Sequence, residues 1–281
     1  MGGERRSNSH RDGDLRRSGC FRPGERKVRS LLAAIGTLTI VPFGHSMCAP
    51  DRELGRSVLF FPLVGLAIGA LLMGTALLLG PVLTPSVVAA LLLVVSALIT
   101  GGLHLDGLAD LCDGLGAGGD RRRILSVMKD PHVGAFGAIG LAIVLILKYA
   151  LFGEMIRRGW TASFLVMGLL SRWAMVLASF IGRYAREAGT ARPFIGQIRW
   201  PHCAAASALA VGPTWLISKE VGLIAALLVF LSVLIFDRFL ESKIGGWTGD
   251  TLGALNEIVE VGVLLFVSVA EGFMAGGEPP V

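Results

Sequence analysis

Charged residues are scarce in this 281-residue chain: Asp, Glu, Lys and Arg make up 17% of it, whereas hydrophobic residues make up 53%. An ordinary soluble domain carries about 25% charged residues. The charges also crowd into the first 30 residues and a few short segments, which leaves long uncharged stretches between them. Because a bilayer covers continuous apolar chain that a water-soluble fold cannot hide, we predict an all-α, polytopic membrane helix bundle.

Cysteine is also rare, and the four that occur are isolated: Cys20, Cys48, Cys112 and Cys203. Their spacing gives neither a disulfide framework nor a zinc site. Signatures of P-loop NTPases, serine hydrolases and zinc proteases are missing as well. Those chemistries therefore have no support in the sequence.

Seven apolar stretches come close to the ~20 residues that a helix needs to cross a bilayer. We predict about seven transmembrane helices, at 57–80, 82–101, 135–152, 161–182, 203–218, 221–236 and 255–273. The shorter apolar stretch from Leu31 to Phe43 contains Pro42 near its end and is typical of a short interfacial or re-entrant N-terminal helix.

Basic residues are distributed unevenly between the two sides of this predicted bundle. With the N-terminus inside, the cytoplasmic segments hold 21 Lys and Arg and the opposite side holds three. This asymmetry predicts a multi-pass protein of the cell inner membrane with a cytoplasmic N-terminus. We interpret residues 1–30 as a disordered basic cytoplasmic arm, not a nucleic-acid site, and 31–275 as a membrane catalytic domain. The polar segments 102–134, 183–202 and 237–254 then share the cytoplasmic side.

Three aspartates follow the second predicted span at i, i+4 and i+7: Asp106, Asp110 and Asp113. This spacing puts them on one helical face, among leucines and alanine. Carboxylates so placed repel one another unless a cation lies between them, and oxygen ligands suit Mg²⁺ or Mn²⁺. We predict a catalytic metal site that clamps phosphate oxygens. The alternative is a hydrated acidic face. His104 is either a substrate-binding residue or an interfacial histidine.

Lys129 and Asp130 precede a glycine-spaced helix start, where cationic groups and backbone N–H groups can meet phosphate. The alternative is a capped helix with a snorkelling lysine. Arg172 lies midway along a predicted span, so its side chain must face the bundle interior or a wet cavity. Arg192 follows in a rigid turn and could reach phosphate. We therefore predict that these four residues bind substrate. Arg183 and Arg186, near the end of the span that contains Arg172, can snorkel and need no function.

A glycine-rich turn starting at Gly245 leads into the last predicted span. Asp250 and Glu257 share a face if the helix begins early, and we predict that Asp250 is catalytic. Glu257 and Glu260 enter an apolar run, which implies partners or a metal for their carboxylates. Asn256 and Glu257 are candidate substrate-binding residues. The alternative is an ordinary helix cap followed by interfacial glutamates.

Three motifs together resemble the cobalamin synthase family. They are Gly-Gly-Leu-His-Leu-Asp-Gly-Leu-Ala-Asp from Gly101, Met-Lys-Asp followed by Val-Gly-Ala-Phe-Gly from Met128, and Gly-Gly-Trp-Thr-Gly-Asp-Thr-Leu-Gly-Ala from Gly245. The run Phe-Pro-Leu-Val-Gly from Phe61 is similar to the first hairpin of that family. The resemblance covers about residues 30 to 270. His132 stands where an arginine is often expected.

The resemblance implies that the chain closes the nucleotide loop of cobalamin. The free hydroxyl of α-ribazole, or of its 5′-phosphate, attacks the phosphoryl group attached to cobinamide in adenosylcobinamide-GDP, and GMP leaves. The family requires Mg²⁺, which Asp106, Asp110 and Asp113 would hold on the pyrophosphate.

The chemistry of the remaining residues gives a hypothesis for their roles in this reaction. Lys129, Arg172 and Arg192 would balance the phosphate charge, and either Asp113 or Asp250 would act as general base. The partners expected are adenosylcobinamide-GDP, α-ribazole or its phosphate, and the lipid bilayer, without nucleic acid. A homo-oligomer is compatible with the sequence, which does not give the number of protomers.

Two other functions remain as alternatives. A CDP-alcohol phosphotransferase also carries aspartates on membrane helices, but its signature has an arginine where Asp110 stands. A transporter would line its path with intramembrane charge, often in repeated halves. No such repeat is visible, and the polar motifs gather on one side.

Overall fold

The computed structural model describes residues 23–41, 51–189 and 191–274. Helices dominate these residues, which confirms the all-α prediction, and their single β-bridge joins Tyr184 to Trp247. A 3₁₀ turn spans Val58–Phe60. The helices are α1 Pro23–Leu38, α2 Asp51–Ser57, α3 Phe61–Leu79, α4 Pro85–Thr100, α5 Leu103–Ala117, α6 Arg121–Val127, α7 Ala135–Arg157, α8 Ser163–Ile181, α9 Trp200–Ile244 and α10 Gly249–Met274.

Five helices among the described residues are long and apolar enough to cross a membrane, or six if α4 and α5 form one broken span. The predicted number of about seven is therefore approximate. The axes of α4 and α5 differ by 90° at Gly101 and Gly102. Both glycines have positive φ angles, 61° and 70°, which residues with a Cβ rarely adopt. This bend turns the aspartate-bearing α5 away from the direction of α4.

Helix α9 consists of two arms. Helical φ and ψ angles are lost at Ser218 and Lys219. A Cβ placed on Gly222 would lie 2.7 Å from the carbonyl oxygen of Thr214. In a straight helix, residues eight apart are separated by about 12 Å along the axis, so the second arm folds back on the first. The two predicted spans 203–218 and 221–236 are these arms.

Helix α8 lies at the centre of the bundle. Nearly every residue from Ser163 to Ser179 is buried, against α3, α9 and α10. A Cβ on Gly65 would collide with the carbonyl group of Gly168, so the backbones of α3 and α8 touch there. Close backbone contact at small residues is a common way for membrane helices to associate.

The N-terminal helix begins earlier than predicted. Helix α1 starts at Pro23, inside the predicted basic arm, and buries Ala34 and Leu38. The backbone N–H of Ile40 donates to the carbonyl of Ile99 at 2.9 Å, which ties the end of this segment to α4. The rest of the predicted arm, 1–22, and the end of the predicted interfacial helix, at 42–43, lie outside the described residues.

Candidate functional site

Three polar segments meet at one end of the bundle, which agrees with the prediction that they share one side. The guanidinium of Arg121 donates to the carbonyl of Ala185 at 2.7 Å. The N–H of Ala185 donates to the carbonyl of Trp247, and the N–H of Trp247 donates to the carbonyl of Arg183, each at 2.8 Å. The segments so joined are 102–134, 183–202 and 237–254.

The glycine-rich turn fixes the start of α10. Gly246 has φ 137°, and a Cβ there would collide with the backbone of the 183–202 segment. Trp247 is fully buried, and its Nε1–H donates to Asp237 at 2.7 Å. Thr248 and Thr251 cap the helix reciprocally, because the N–H of each donates to the hydroxyl of the other, at 2.8 and 3.2 Å. Asp250 is thereby held in the first turn of α10.

Asp250 lies against the aspartate helix. A Cβ on Gly107 would lie 2.5 Å from the carbonyl oxygen of Asp250, so only glycine permits this approach of α5 to α10. Asp110 lies within electrostatic range of Asp106 and Asp250, and of the guanidinium of Arg186. The structure therefore brings the predicted catalytic residues Asp106, Asp110 and Asp250 together.

Asp113 has a different position from the other two aspartates of α5. Its Oδ2 accepts from the N–H of Gly134 at 2.7 Å, and its Oδ1 accepts from the N–H of Gly137 at 2.8 Å. Both oxygens thus hold the start of α7, where unpaired backbone donors need acceptors. Sequence spacing predicted a metal ligand here, but the structure gives Asp113 a capping role.

The remaining carboxylates form an all-oxygen donor set. Among residues 23–41, 51–189 and 191–274, no three His, Cys, Asp or Glu side chains converge as a metal site, so the predicted three-aspartate ligand set is not formed. Mg²⁺ seldom needs a site made of protein ligands alone, because it usually binds through one or two carboxylates together with waters and substrate phosphates. Asp106 and Asp110 fit that pattern of binding.

Arg186 is a site residue that no pattern in the sequence indicates. Its side chain is 14% exposed, and its Nη2 donates to Asp250 Oδ2 at 2.8 Å. The same nitrogen lies 3.5 Å from the carbonyl oxygen of Met128. Its Nε–H is buried and has no partner among the described residues. The sequence shows only an arginine near a span end, and tertiary contacts are needed to identify it.

Lys129 and Asp130 lie in the exposed loop between α6 and α7, directly after Met128. The carboxylate of Asp130 accepts from the backbone N–H of His132 at 3.0 Å and contacts its Nδ1 at 2.7 Å. These hydrogen bonds lower the pKa of Asp130 below its usual value. Arg192 is also exposed and donates to the carbonyl of Glu187 at 2.9 Å. Lys129 therefore lies beside the site, whereas the Arg192 guanidinium forms a hydrogen bond within its own segment.

Arg172, Asn256 and Glu257 belong to a buried charge network that joins α7, α8 and α10. Lys148 Nζ lies 2.6 Å from both Glu257 Oε2 and Glu260 Oε2. Arg172 Nη1 donates to Glu260 Oε1, to which Asn256 Nδ2 also donates, at 3.1 Å. The predicted need for partners at the two glutamates is confirmed. Arg172 has a carboxylate partner where the sequence analysis predicted phosphate.

His104 turns toward this network. Its side chain is buried and lies within electrostatic range of Arg172, Glu260 and Lys148. Its position on α5 links the aspartate helix to the buried charges instead of exposing the imidazole at the site. The predicted substrate-binding residues thus divide into a group at the open end of the bundle and a group inside it.

Comparisons with known proteins point to one family. The family model described as cobalamin-5-phosphate synthase matches residues 30–268. Relatives named adenosylcobinamide-GDP ribazoletransferase include one from Geotalea daltonii, 39% identical over 87% of this chain and 98% of its own length. Those from Syntrophobacter fumaroxidans and Desulforamulus reducens are 41% and 37% identical, over 80% and 86% of this chain and 91% and 97% of their own lengths. No solved structure matches the chain.

Proposed function

Because the chain belongs to the cobalamin-5-phosphate synthase family, we propose that it joins adenosylcobinamide-GDP to α-ribazole, or to α-ribazole 5′-phosphate, with release of GMP. It is a transferase of cobalamin biosynthesis, like its named relatives. The observation that carries the detailed proposal is the convergence of Asp106, Asp110, Asp250 and Arg186 at one end of the bundle.

The proposed reaction is one phosphoryl transfer. The ribazole hydroxyl oxygen forms a bond to the phosphorus attached to cobinamide, and the P–O–P bond to the guanosine phosphate breaks. The hydroxyl proton goes to a carboxylate, and GMP leaves with the bridging oxygen. Such a transfer depends on positioning and charge neutralisation more than on covalent catalysis, which suits a site of carboxylates and cations.

Asp106 and Asp110 are the proposed ligands of Mg²⁺. When bound there, Mg²⁺ neutralises charge on the diphosphate oxygens. Asp250 is the better of the two candidate bases, because both carboxylate oxygens of Asp113 already accept backbone hydrogen bonds. Lys129 lies on the neighbouring loop, where its ammonium can approach the phosphates.

We also propose that the protein lies in the inner membrane and that this site is on its cytoplasmic side. The segments that build it hold most of the Lys and Arg outside the N-terminal arm, and such segments stay on the cytoplasmic side. GMP release by inverted membrane vesicles, but not by sealed right-side-out vesicles, would support this orientation. The reverse pattern would contradict it.

The test of the function is a product assay on the purified full-length protein in detergent. With Mg²⁺, adenosylcobinamide-GDP and α-ribazole 5′-phosphate, one GMP should appear per cobamide formed, and a chelator should stop both. Release of CMP from a CDP-alcohol would instead favour the lipid-type phosphotransferase. If neither α-ribazole nor α-ribazole 5′-phosphate supports GMP release, the proposal is refuted.

A further inference from the structure

Arg186 and Asp250 form an ion pair beside Asp110 of the carboxylate site. Arg186 Nη2 and Asp250 Oδ2 are 2.8 Å apart, with side-chain exposures of 14% and 25%. The same carboxylate oxygen accepts from the Thr248 hydroxyl at 3.3 Å. The pair is therefore largely shielded from water, but both side chains remain partly accessible to a ligand.

The guanidinium is only partly used by this pair. Its Nε–H is buried and unpaired among the described residues, and the contact of Nη2 with the Met128 carbonyl is long, 3.5 Å. A guanidinium binds phosphate oxygens through two parallel N–H groups, which is stronger than one contact to a carboxylate. An anion with two or more oxygens at this position would satisfy the unpaired donor.

Two groups of like charge then compete for one cation. Asp250 is paired with Arg186 and Asp110 lies within electrostatic range of it, and an arriving diphosphate adds further negative charge there. Resting on the function proposed above, we propose that the substrate diphosphate displaces Asp250 from Arg186, so that Arg186 binds the phosphate and the Asp250 carboxylate becomes free to take the ribazole proton. Arg186 is the substrate-binding arginine in place of Arg172 and Arg192.

This exchange predicts that removing the charge of Arg186 and removing the charge of Asp250 change the affinity for the diphosphate in opposite directions. Removing the Arg186 charge removes the receptor and weakens binding of the diphosphate. Removing the Asp250 charge removes the competitor and strengthens it. A pair that merely holds two segments together would weaken binding in both variants, because either change would loosen the site.

The experiment measures binding of inorganic pyrophosphate to the full-length protein in detergent, by calorimetry, with a chelator present so that no metal contributes. Arg186→Gln should raise Kd about 10- to 100-fold. Arg186→Lys should fall between this variant and the wild type. Asp250→Asn should lower Kd by about threefold or more, since a competing charge is removed. Arg183→Gln is the matched control, because that side chain is 83% exposed, and its Kd should stay within about twofold.

Circular dichroism checks that each variant is folded, and the Lys and Asn variants decide the outcome if Arg186→Gln is not. An unchanged Kd in the Arg186 variants would overturn the proposal, as would weaker binding in Asp250→Asn. Because pyrophosphate binding needs no ribazole, this test is separate from GMP release. A protein that shows the two opposite shifts without GMP release would refute the proposed reaction and leave the anion site standing.

Discussion

Neutralising Glu260 should destabilise the bundle more than any comparable change at its surface. The Glu260 carboxylate is 2% exposed and contacts Lys148, Arg172 and Asn256. Replacement by Gln leaves two cations, 3% and 1% exposed, with only Glu257 to balance them. Breaking one partner of a buried ion pair costs about 3–5 kcal/mol, so Glu260→Gln should lower the free energy of unfolding by about that amount.

The measurement is unfolding of the purified protein in mixed micelles of a mild detergent and increasing dodecyl sulfate, followed by circular dichroism. Glu241→Gln is the control: Glu241 is 47% exposed and 3.9 Å from Arg183, so its loss should cost less than about 1 kcal/mol. The double variant Arg172→Met with Glu260→Gln restores charge balance and should be more stable than Glu260→Gln alone. A Glu260→Gln variant as stable as Glu241→Gln would refute the reasoning.

Three further predictions concern helix packing, capping and ionisation. Gly168→Ala should lower the thermal unfolding temperature in detergent because its Cβ meets the backbone of α3, whereas Gly74→Ala, with open space at its Cβ, should not; equal temperatures would contradict the contact. Asp113→Ala should lower the free energy of unfolding by about 1 kcal/mol, because the cap of α7 is lost. Unfolding in the same mixed micelles measures this change, and an unchanged free energy would refute the capping role of Asp113. His132→Ala removes the imidazole hydrogen bond and should raise the pKa of Asp130 toward its usual value near 3.9. Carboxyl NMR should then detect protonation at higher pH as the sample is acidified, and an unshifted titration would contradict the imidazole hydrogen bond.

The sequence predicted the bundle and the order of its motifs because those signals are local. Apolar length identified the spans, and the family inferred from three motifs is confirmed by the match over residues 30–268. The spacing of Asp106 and Asp110 correctly placed both on one helix. The predicted shared side of segments 102–134 and 237–254 agrees with Asp250 lying within electrostatic range of Asp110. Even the break in α9 near Ser218 was anticipated, as the boundary between two predicted spans.

Long-range partners could not be predicted in the same way. Arg172 and Glu260 are 88 residues apart, and no local pattern indicates that they pair. Asp113 has the same spacing as a metal ligand would, but the chain returns 21 residues later and offers two backbone N–H groups to it. Arg186 looked like a snorkelling residue until the fold placed it beside Asp250.

The carboxylate site is tested most directly by the turnover of Asp110→Asn. In Mg²⁺ with adenosylcobinamide-GDP and α-ribazole 5′-phosphate, this variant should release GMP at least about 100-fold more slowly than the wild type, since one of the two proposed metal ligands is lost. Glu220→Gln, an exposed residue beside the fold-back of α9, should retain wild-type turnover. Wild-type turnover by folded Asp110→Asn would contradict the assignment of the catalytic site.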